Sequence, residues 1–243
     1  MKKLLLLTLV ISVLPFMFTS CDFIESQTIK GNGNIITQDR EVSQANKMRL
    51  EGSFEVVLVP SSSTSVQVQA DENLMPYIVT RVEDGWLVIK PQNHTSLSSS
   101  QKIKITVSTD RVEGIDVAGS GSVSAQDKFT GSSKLDLSLS GSGSINMNVN
   151  TPEVRAEISG SGQINVTGET QDLKVSMSGS GVYKSEQLLA ENAEINISGS
   201  GDATVYADNK IQASIAGSGN VYYKGKAQVH SDIAGSGGVR RIE

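Results

Sequence analysis

Apolar and polar residues alternate with a period of two through most of the chain after residue 114. Between Leu135 and Val149, every odd position is apolar or glycine and every even position is polar. A period of two is typical of a β-strand that buries one face and exposes the other. The pattern therefore predicts an all-β protein whose strands each contribute one side to a core.

The triplet Gly-Ser-Gly recurs seven times within this alternation, at intervals of 18 to 22 residues. The alternation keeps its phase through each triplet, which predicts that both glycines face inward and that the serine between them faces outward. Glycines at one inner position of every repeat indicate a narrow corner where no side chain fits. The repeat glycines are Gly119, Gly121, Gly141, Gly143, Gly160, Gly162, Gly179, Gly181, Gly199, Gly201, Gly217, Gly219, Gly235 and Gly237.

A repeat of this length matches one coil of a parallel β-solenoid, in which stacked coils build a shared core. With strands about 4.8 Å apart, seven coils would form a rod roughly 30 Å long. The competing architecture is an antiparallel sandwich or barrel with one strand pair per repeat. We predict a β-solenoid of seven repeats for residues 115–243, and the number of strands per coil stays open.

Residues 28–114 have a different character and predict an antiparallel β subdomain that caps the first coil. Two degenerate repeats fit the frame of the later ones, at residues 31–33 and at residues 52–54, where phenylalanine replaces the second glycine. The dipeptide Asp84-Gly85 between two apolar runs predicts a hairpin. Trp86, the only tryptophan, is expected to lie in the core of this subdomain.

Residues 1–20 have the anatomy of a secretory signal peptide. A positively charged start is followed by an apolar run that is too short for an ordinary membrane-spanning helix. Small residues precede the only cysteine, Cys21, and resemble the lipobox of bacterial lipoproteins. This resemblance implies cleavage before Cys21, a diacylglycerol on its sulfur and a lipidated linker over residues 21–27. A plain signal peptide with a chance cysteine is the alternative.

A lipid anchor would place the protein in the cell envelope, as an outer-membrane lipoprotein facing either the periplasm or the cell surface. Buried acyl chains contribute about 0.8 kcal/mol per methylene to membrane binding. The formal net charge of −5 adds no attraction to anionic lipid. It also argues against a nucleic-acid partner, which needs a basic surface.

The composition disfavours catalysis and metal binding. One cysteine excludes an intramolecular disulfide and a site with several thiolates, and two histidines leave little for acid–base chemistry. We therefore expect no cofactor, no metal and no enzyme activity. A polysaccharide-cleaving β-helix is the enzyme alternative, and it would need carboxylates that converge on one groove. The candidate acids are scattered along the repeats: Asp110, Glu113, Asp116, Asp136, Glu157, Asp172, Glu186, Glu191 and Glu194.

The serines at the centre of the triplets predict a ladder of hydroxyl groups on the outside of the stack. This serine strip comprises Ser120, Ser142, Ser161, Ser180, Ser200, Ser218 and Ser236. The residues two positions earlier are equally small: Ala118, Ser140, Ser159, Ser178, Ser198, Ala216 and Ala234. Such a surface could meet a glycan or a flat protein face. The alternative is that small residues simply suit a tight corner.

The order of these features resembles a known family. A lipoprotein signal, Gly-Ser-Phe-Glu-Val-Val-Leu at residues 52–58, the Asp-Gly-Trp hairpin and the tandem Gly-Ser-Gly strands are similar to the "putative auto-transporter adhesin, head GIN domain" family. The resemblance implies an all-β lipoprotein of the Bacteroidetes type, and it assigns no catalytic residues. It favours a non-catalytic surface interaction module or adhesin with a glycan or protein ligand. The alternative is a periplasmic structural or envelope-stress component with a protein partner. Either could form a homo-oligomer.

Overall fold

A computed structural model describes residues 27–243, and most of these residues lie in β-strands. The predicted signal peptide and Cys21 lie outside the described residues. A short 3₁₀ helix, Glu72–Tyr77, interrupts the first strands. These strands are β1 (Gln27–Lys30), β2 (Ile35–Arg40), β3 (Lys47–Gly52), β4 (Glu55–Pro60), β5 (Ser65–Asp71), β6 (Ile78–Glu83), β7 (Trp86–Pro91), β8 (Thr95–Ser98) and β9 (Lys104–Thr109).

The repeats supply the remaining strands, and β16, β17 and β18 are the longest of them because they continue from one coil into the next. These strands are β10 (Gly114–Gly119), β11 (Ser122–Ala125), β12 (Phe129–Thr130), β13 (Lys134–Gly141), β14 (Ser144–Asn150), β15 (Glu153–Gly160), β16 (Gln163–Gly179), β17 (Val182–Gly199), β18 (Asp202–Gly217), β19 (Asn220–Lys224), β20 (Gln228–Gly235) and β21 (Gly238–Arg241).

Each coil contains two strand segments joined by the Gly-Ser-Gly turn, and successive coils pair in parallel. The segments before the triplets form one sheet, the front sheet, in which β13 pairs with β15. The segments after the triplets form the back sheet, in which β14 pairs with β16. The prediction of a parallel β-solenoid is confirmed, and the parallel pairing of the repeats excludes the antiparallel alternative.

The core runs without interruption between the two sheets. Leu137 and Ile158 of the front sheet and Ile145 and Val166 of the back sheet are almost completely buried, as the alternation predicts. Burial of an aliphatic side chain of this size contributes roughly 1.5–3 kcal/mol relative to exposure. Because no coil buries its own inner face alone, stacking supplies most of the stability.

The first glycines of the triplets form a column in exact register, and the prediction that they face inward is wrong. Gly141 pairs with Gly160, and Gly160 pairs with Gly179. The φ angle of Gly160 is +121°, in the left-handed region that side chains avoid. A Cβ at Gly160 would lie 2.5 Å from the carbonyl oxygen of Gly141 and would therefore point along the stack.

The second glycine of each triplet faces inward, as predicted. A Cβ at Gly162 would lie 2.6 Å from Cδ2 of Leu139 and 2.7 Å from the carbonyl oxygen of Gly143. The turn is held by the backbone, because the N–H of Ser161 donates to the carbonyl oxygen of Gly141 at 2.9 Å. One glycine thus permits the turn, and the other permits close approach of the next coil.

The N-terminal strands cover one end of the stack. β7 and β9 pair in parallel with β3 and β4, and β6 and β5 then pair antiparallel with β7 and β9. The predicted hairpin at Asp84-Gly85 is confirmed, since these two residues link β6 to β7 with φ angles of 50° and 79°. Leu74 and Met75 of the 3₁₀ helix are buried in the same core.

Two expectations for this end are wrong. Residues 31–33 do not join the glycine column, because β1 pairs with β8 in a separate two-stranded sheet and β2 pairs antiparallel with β5. The degenerate repeat at Gly52 does join it, paired with Gly119. Trp86 is half-buried at the outer face of the front sheet, with the guanidinium of Arg49 5.0 Å from its ring centroid. Such cation–π contacts suit a partly exposed ring.

The buried carboxylate of Asp71 connects two loops at this end through hydrogen bonds. Asp71 accepts hydrogen bonds from the N–H of Gly33 at 2.7 Å, the hydroxyl of Ser99 at 2.6 Å, and the N–H and hydroxyl of Ser100 at 2.9 and 2.7 Å. The bond from Ser99 contributes most to lowering the pKa of Asp71 well below its usual value of 3.8, although burial of the carboxylate opposes the shift. Asp71 thereby joins the turn at residues 31–33 to the loop after β8.

Candidate functional site

The solvent face of the front sheet carries two rows of small or polar side chains across the last five coils. Inward positions are apolar, so the alternate residues of β15 to β20 point outward, and the parallel register aligns them from coil to coil. The first row is Glu157, Ser176, Asn196, Ser214 and Asp232. The second row is Ser159, Ser178, Ser198, Ala216 and Ala234.

These two rows line a shallow open groove of about 450 Å³, which we call the front groove. Its lining offers hydroxyl groups, the amide of Asn196 and the carboxylates of Glu157 and Asp232, and it contains no aromatic side chain. Short side chains leave the groove open, and rigid parallel strands fix the spacing of its polar groups. The groove can therefore donate and accept many hydrogen bonds without enclosing a ligand.

Charged residues border the groove on the side away from the glycine turns. Glu153 accepts hydrogen bonds from Arg155 at 2.7 Å and from Lys174 at 3.0 Å. These bonds, that of Arg155 first, lower the pKa of Glu153. A second depression of about 410 Å³ begins here and shares Glu157, Ser176 and Asn196 with the front groove. The polar surface thus extends towards the middle of the sheet.

The serine strip lies beside the front groove and outside its lining. All seven serines are exposed, and the aligned triplets place them in a ladder. The hydroxyl oxygens of Ser218 and Ser236 are 3.1 Å apart. Ser120, at the other end of the strip, lines a larger depression of about 690 Å³ under the loop that carries β8. That depression is formed largely by an exposed loop, whereas strands form the front groove.

The sequence pattern indicated one row of the front groove and missed the other. The second row consists of the small residues two positions before the serine strip. The first row lies two positions earlier still, and continuing the same alternation by one step would have found it. Of the acids considered for catalysis, only Glu157 lines the front groove, while Asp136 and Glu194 line the adjacent depression.

Among residues 27–243, no group of three or more histidine, cysteine, aspartate or glutamate side chains is placed to hold a metal ion. Within the same range, no helix is long and apolar enough to cross a membrane. Cys21, the predicted lipidation site, lies outside the described residues.

The fold and the surface define a class: a capped, two-sheet parallel β-solenoid with a shallow open groove on one sheet. The sequence profile of the family described as "Putative auto-transporter adhesin, head GIN domain" matches residues 45–227. The chain belongs to this family. A comparison with curated proteins finds no match.

Solved structures from Parabacteroides and Bacteroides species share the fold. A putative lipid binding protein from Parabacteroides distasonis is 28% identical, with a TM-score of 0.75 over 89% of this chain and 100% of that one. A putative adhesin from Bacteroides fragilis is 23% identical, with a TM-score of 0.81 over 88% and 100%. A putative adhesin from the same Parabacteroides species is 24% identical, with a TM-score of 0.67 over 89% and 100%.

Proposed function

We propose that this protein is a non-catalytic, lipid-anchored adhesin of the cell envelope that binds glycans through the front groove. The observation that carries the proposal is the alignment of hydroxyl, amide and carboxylate groups along an open groove on rigid strands. Sugar hydroxyls both donate and accept hydrogen bonds, and an open groove accommodates a chain that continues beyond it. Affinity would come from many modest contacts rather than from a deep pocket.

The spacing of the groove carboxylates supports a binding role over hydrolysis. Glu157 and Asp232 lie four strands apart in register, about 19 Å at a strand spacing of about 4.8 Å. Glycoside hydrolases place their two carboxylates about 5–9.5 Å apart. The two acids of the front groove therefore cannot act together on one glycosidic bond.

Lipid binding, after the relative from Parabacteroides distasonis, is the second candidate. The large apolar side chains that are exposed in the described residues are Leu189, Val229 and Ile233, and none of them lines the front groove. The apolar residues of the lining are Ala216, Ala234 and the inward-facing Ile158, Met177, Ile197 and Ile215, whereas its other outward side chains carry hydroxyl, amide or carboxylate groups. We therefore favour glycan over lipid as the ligand of the groove.

The groove and the serine strip can be distinguished with a matched pair of substitutions two residues apart. Ser178→Arg would fill the front groove, and Ser180→Arg would place the same charge and bulk on the strip. We expect Ser178→Arg to weaken binding about tenfold or more, equivalent to ~1.4 kcal/mol, and Ser180→Arg to leave binding nearly unchanged. The measurement is titration of residues 22–243 with glycans selected on a glycan array.

Weaker binding by Ser180→Arg and unchanged binding by Ser178→Arg would indicate that the ligand binds the serine strip instead. Equal binding by both variants and the unsubstituted protein would exclude both surfaces. An array without glycan binding, together with binding to phospholipid vesicles, would support the lipid candidate instead. Circular dichroism of each variant shows whether the fold is retained.

The anchor and its orientation are tested in cells. We expect Cys21→Ala to abolish incorporation of a labelled fatty acid and to release the protein from the membrane fraction. Protease treatment of intact cells should remove a surface adhesin and spare a periplasmic component. Survival of the protein under this treatment, with degradation after the outer membrane is opened, would favour the periplasmic structural alternative and contradict a surface adhesin.

A further inference from the structure

Within residues 27–243 the two ends of the solenoid differ, and no strand covers the C-terminal one. Every residue of β20 is exposed, although β20 continues the front sheet in register with β18. Val229 and Ile233 occupy the inward positions beside Ile211 and Ile215, which are buried. Val229 is 37% exposed and Ile233 is 38% exposed. Core positions of the last coil therefore reach solvent.

The backbone of β20 also presents an unpaired edge. In an earlier coil, the N–H of the outward residue Asp136 donates to the carbonyl oxygen of Glu113 in the preceding coil at 3.0 Å. His230 occupies the same register position in β20. The backbone N–H and C=O groups of successive residues in a strand point to opposite edges. Since those of His230 point towards β18, those of the inward residues Val229, Ser231 and Ile233 point away from it. Among the described residues, no strand follows to receive them.

We propose that β20 pairs antiparallel with β20 of a second copy of this chain, around a two-fold axis at Ser231. In this register Val229 lies opposite the partner's Ile233, and both face the core. His230 lies opposite the partner's Asp232 on the outer face. The backbone groups of Val229, Ser231 and Ile233 exchange hydrogen bonds across the axis. The same interface would thus pair the free backbone N–H and C=O groups of β20 and cover Val229 and Ile233. It would also place His230 beside the carboxylate of Asp232.

The neighbouring registers lack these matches. An axis at Asp232 would place this carboxylate opposite its own copy and Ile233 opposite the partner's Ser231. An axis at His230 would place Val229 opposite the partner's Ser231 and Ile233 opposite the partner's Ala227, which is smaller and precedes β20. Like charges directly opposite one another destabilise an antiparallel pair, and matched apolar pairs stabilise it. The order Val-His-Ser-Asp-Ile therefore specifies the register centred on Ser231.

This pairing goes beyond the proposed glycan binding, and it shares Asp232 with the front groove. Light scattering after gel filtration of residues 22–243, which contain the whole described fold, should give the mass of a dimer. Ile233→Lys should raise the dimer dissociation constant at least about tenfold, because it places a charge among apolar groups on each side of the axis. Leu189→Lys is the control, since Leu189 is 53% exposed and lies outside β20, and it should leave the dimer unchanged.

Cysteine pairing then tests the register, since residues 22–243 contain no other cysteine. Directly opposite residues of a hydrogen-bonded antiparallel pair have Cα atoms about 5.5 Å apart, within reach of a disulfide. Ser231→Cys should therefore form a covalent dimer on mild oxidation. Val229→Cys and Ile233→Cys should each stay uncrosslinked alone and should crosslink when mixed. A monomeric unsubstituted protein, or crosslinking of Val229→Cys alone, would overturn the proposal.

Discussion

Replacing Gly160 with alanine is expected to lower the free energy of unfolding by about 2–6 kcal/mol. The φ angle of +121° is strained for a residue with a Cβ, which costs about 1–3 kcal/mol. The new Cβ would also lie 2.5 Å from the carbonyl oxygen of Gly141, and a forced contact of this kind costs about 1–3 kcal/mol more. Backbone of the preceding coil cannot move aside without disturbing the coil below it.

Two companion substitutions separate these contributions. Gly131→Ala isolates the backbone strain, because Gly131 has a φ of +85° and its Cβ would meet nothing within 4 Å. Gly162→Ala isolates the steric contact, because its clash is with Leu139 and with backbone, and its φ lies outside the left-handed region. We expect each to destabilise the protein less than Gly160→Ala does.

Urea-induced unfolding, followed by circular dichroism, measures all three variants and the unsubstituted protein. The order of stabilities is the informative result. If Gly160→Ala proves no less stable than Gly131→Ala, then the stack yields to the added methyl group, and the close contact between coils does not require glycine there.

Substituting Asp71 with asparagine is expected to destabilise the N-terminal end and to flatten the loss of stability in acid. Asparagine has the size of aspartate, but its NH₂ group would face donors from Gly33, Ser99 or Ser100. A donor placed against donors leaves buried polar groups unsatisfied. At neutral pH the midpoint of thermal unfolding should therefore fall by several degrees, and by more than for Ser99→Ala.

The pH dependence follows from the lowered pKa of Asp71. The folded protein holds this carboxylate ionised below the pKa of 3.8 that is usual for aspartate, so the unfolded chain binds the proton more readily. Its contribution to stability is complete above about pH 5 and declines as the pH falls through 4 and below. Asp71→Asn removes this contribution at every pH. Parallel stability curves for the two proteins between pH 7 and pH 2 would contradict this role.

The repeating part of the fold could be predicted from the sequence because its physics is local and periodic. The alternation of apolar and polar residues determines which side of a strand is buried. Because this alternation keeps the same phase relative to each Gly-Ser-Gly triplet, it also predicts how one coil aligns with the next. The same reasoning misplaced the first glycine of each triplet. Alternation assumes extended backbone at every residue, whereas Gly160 adopts a left-handed conformation that redirects its Cβ along the stack.

The front groove and the hydrogen bonds to Asp71 depend on contacts between residues far apart in sequence. Asp71 gathers donors from residues 33, 99 and 100, and no spacing along the chain indicates that these loops meet. The alternation does predict an outward position for Asp232, but only the pairing of β20 with β18 places it in the groove. Trp86 departs from the prediction of a core position because the side chains of Lys47 and Arg49 in β3 lie over its ring and leave it half-buried.

Because of the glycine column, the solenoid could be lengthened by inserting whole coils. Each inner coil rests only on its two neighbours, so one more copy of the repeat would find the same surface to stack on and offer the same surface to the next. Neither the N-terminal cap nor β20 would need to change. Each added coil would lengthen the rod by about 4.8 Å and add another rung of small polar residues. The length of the rod and the number of polar groups that it offers to a ligand would then increase together with each coil.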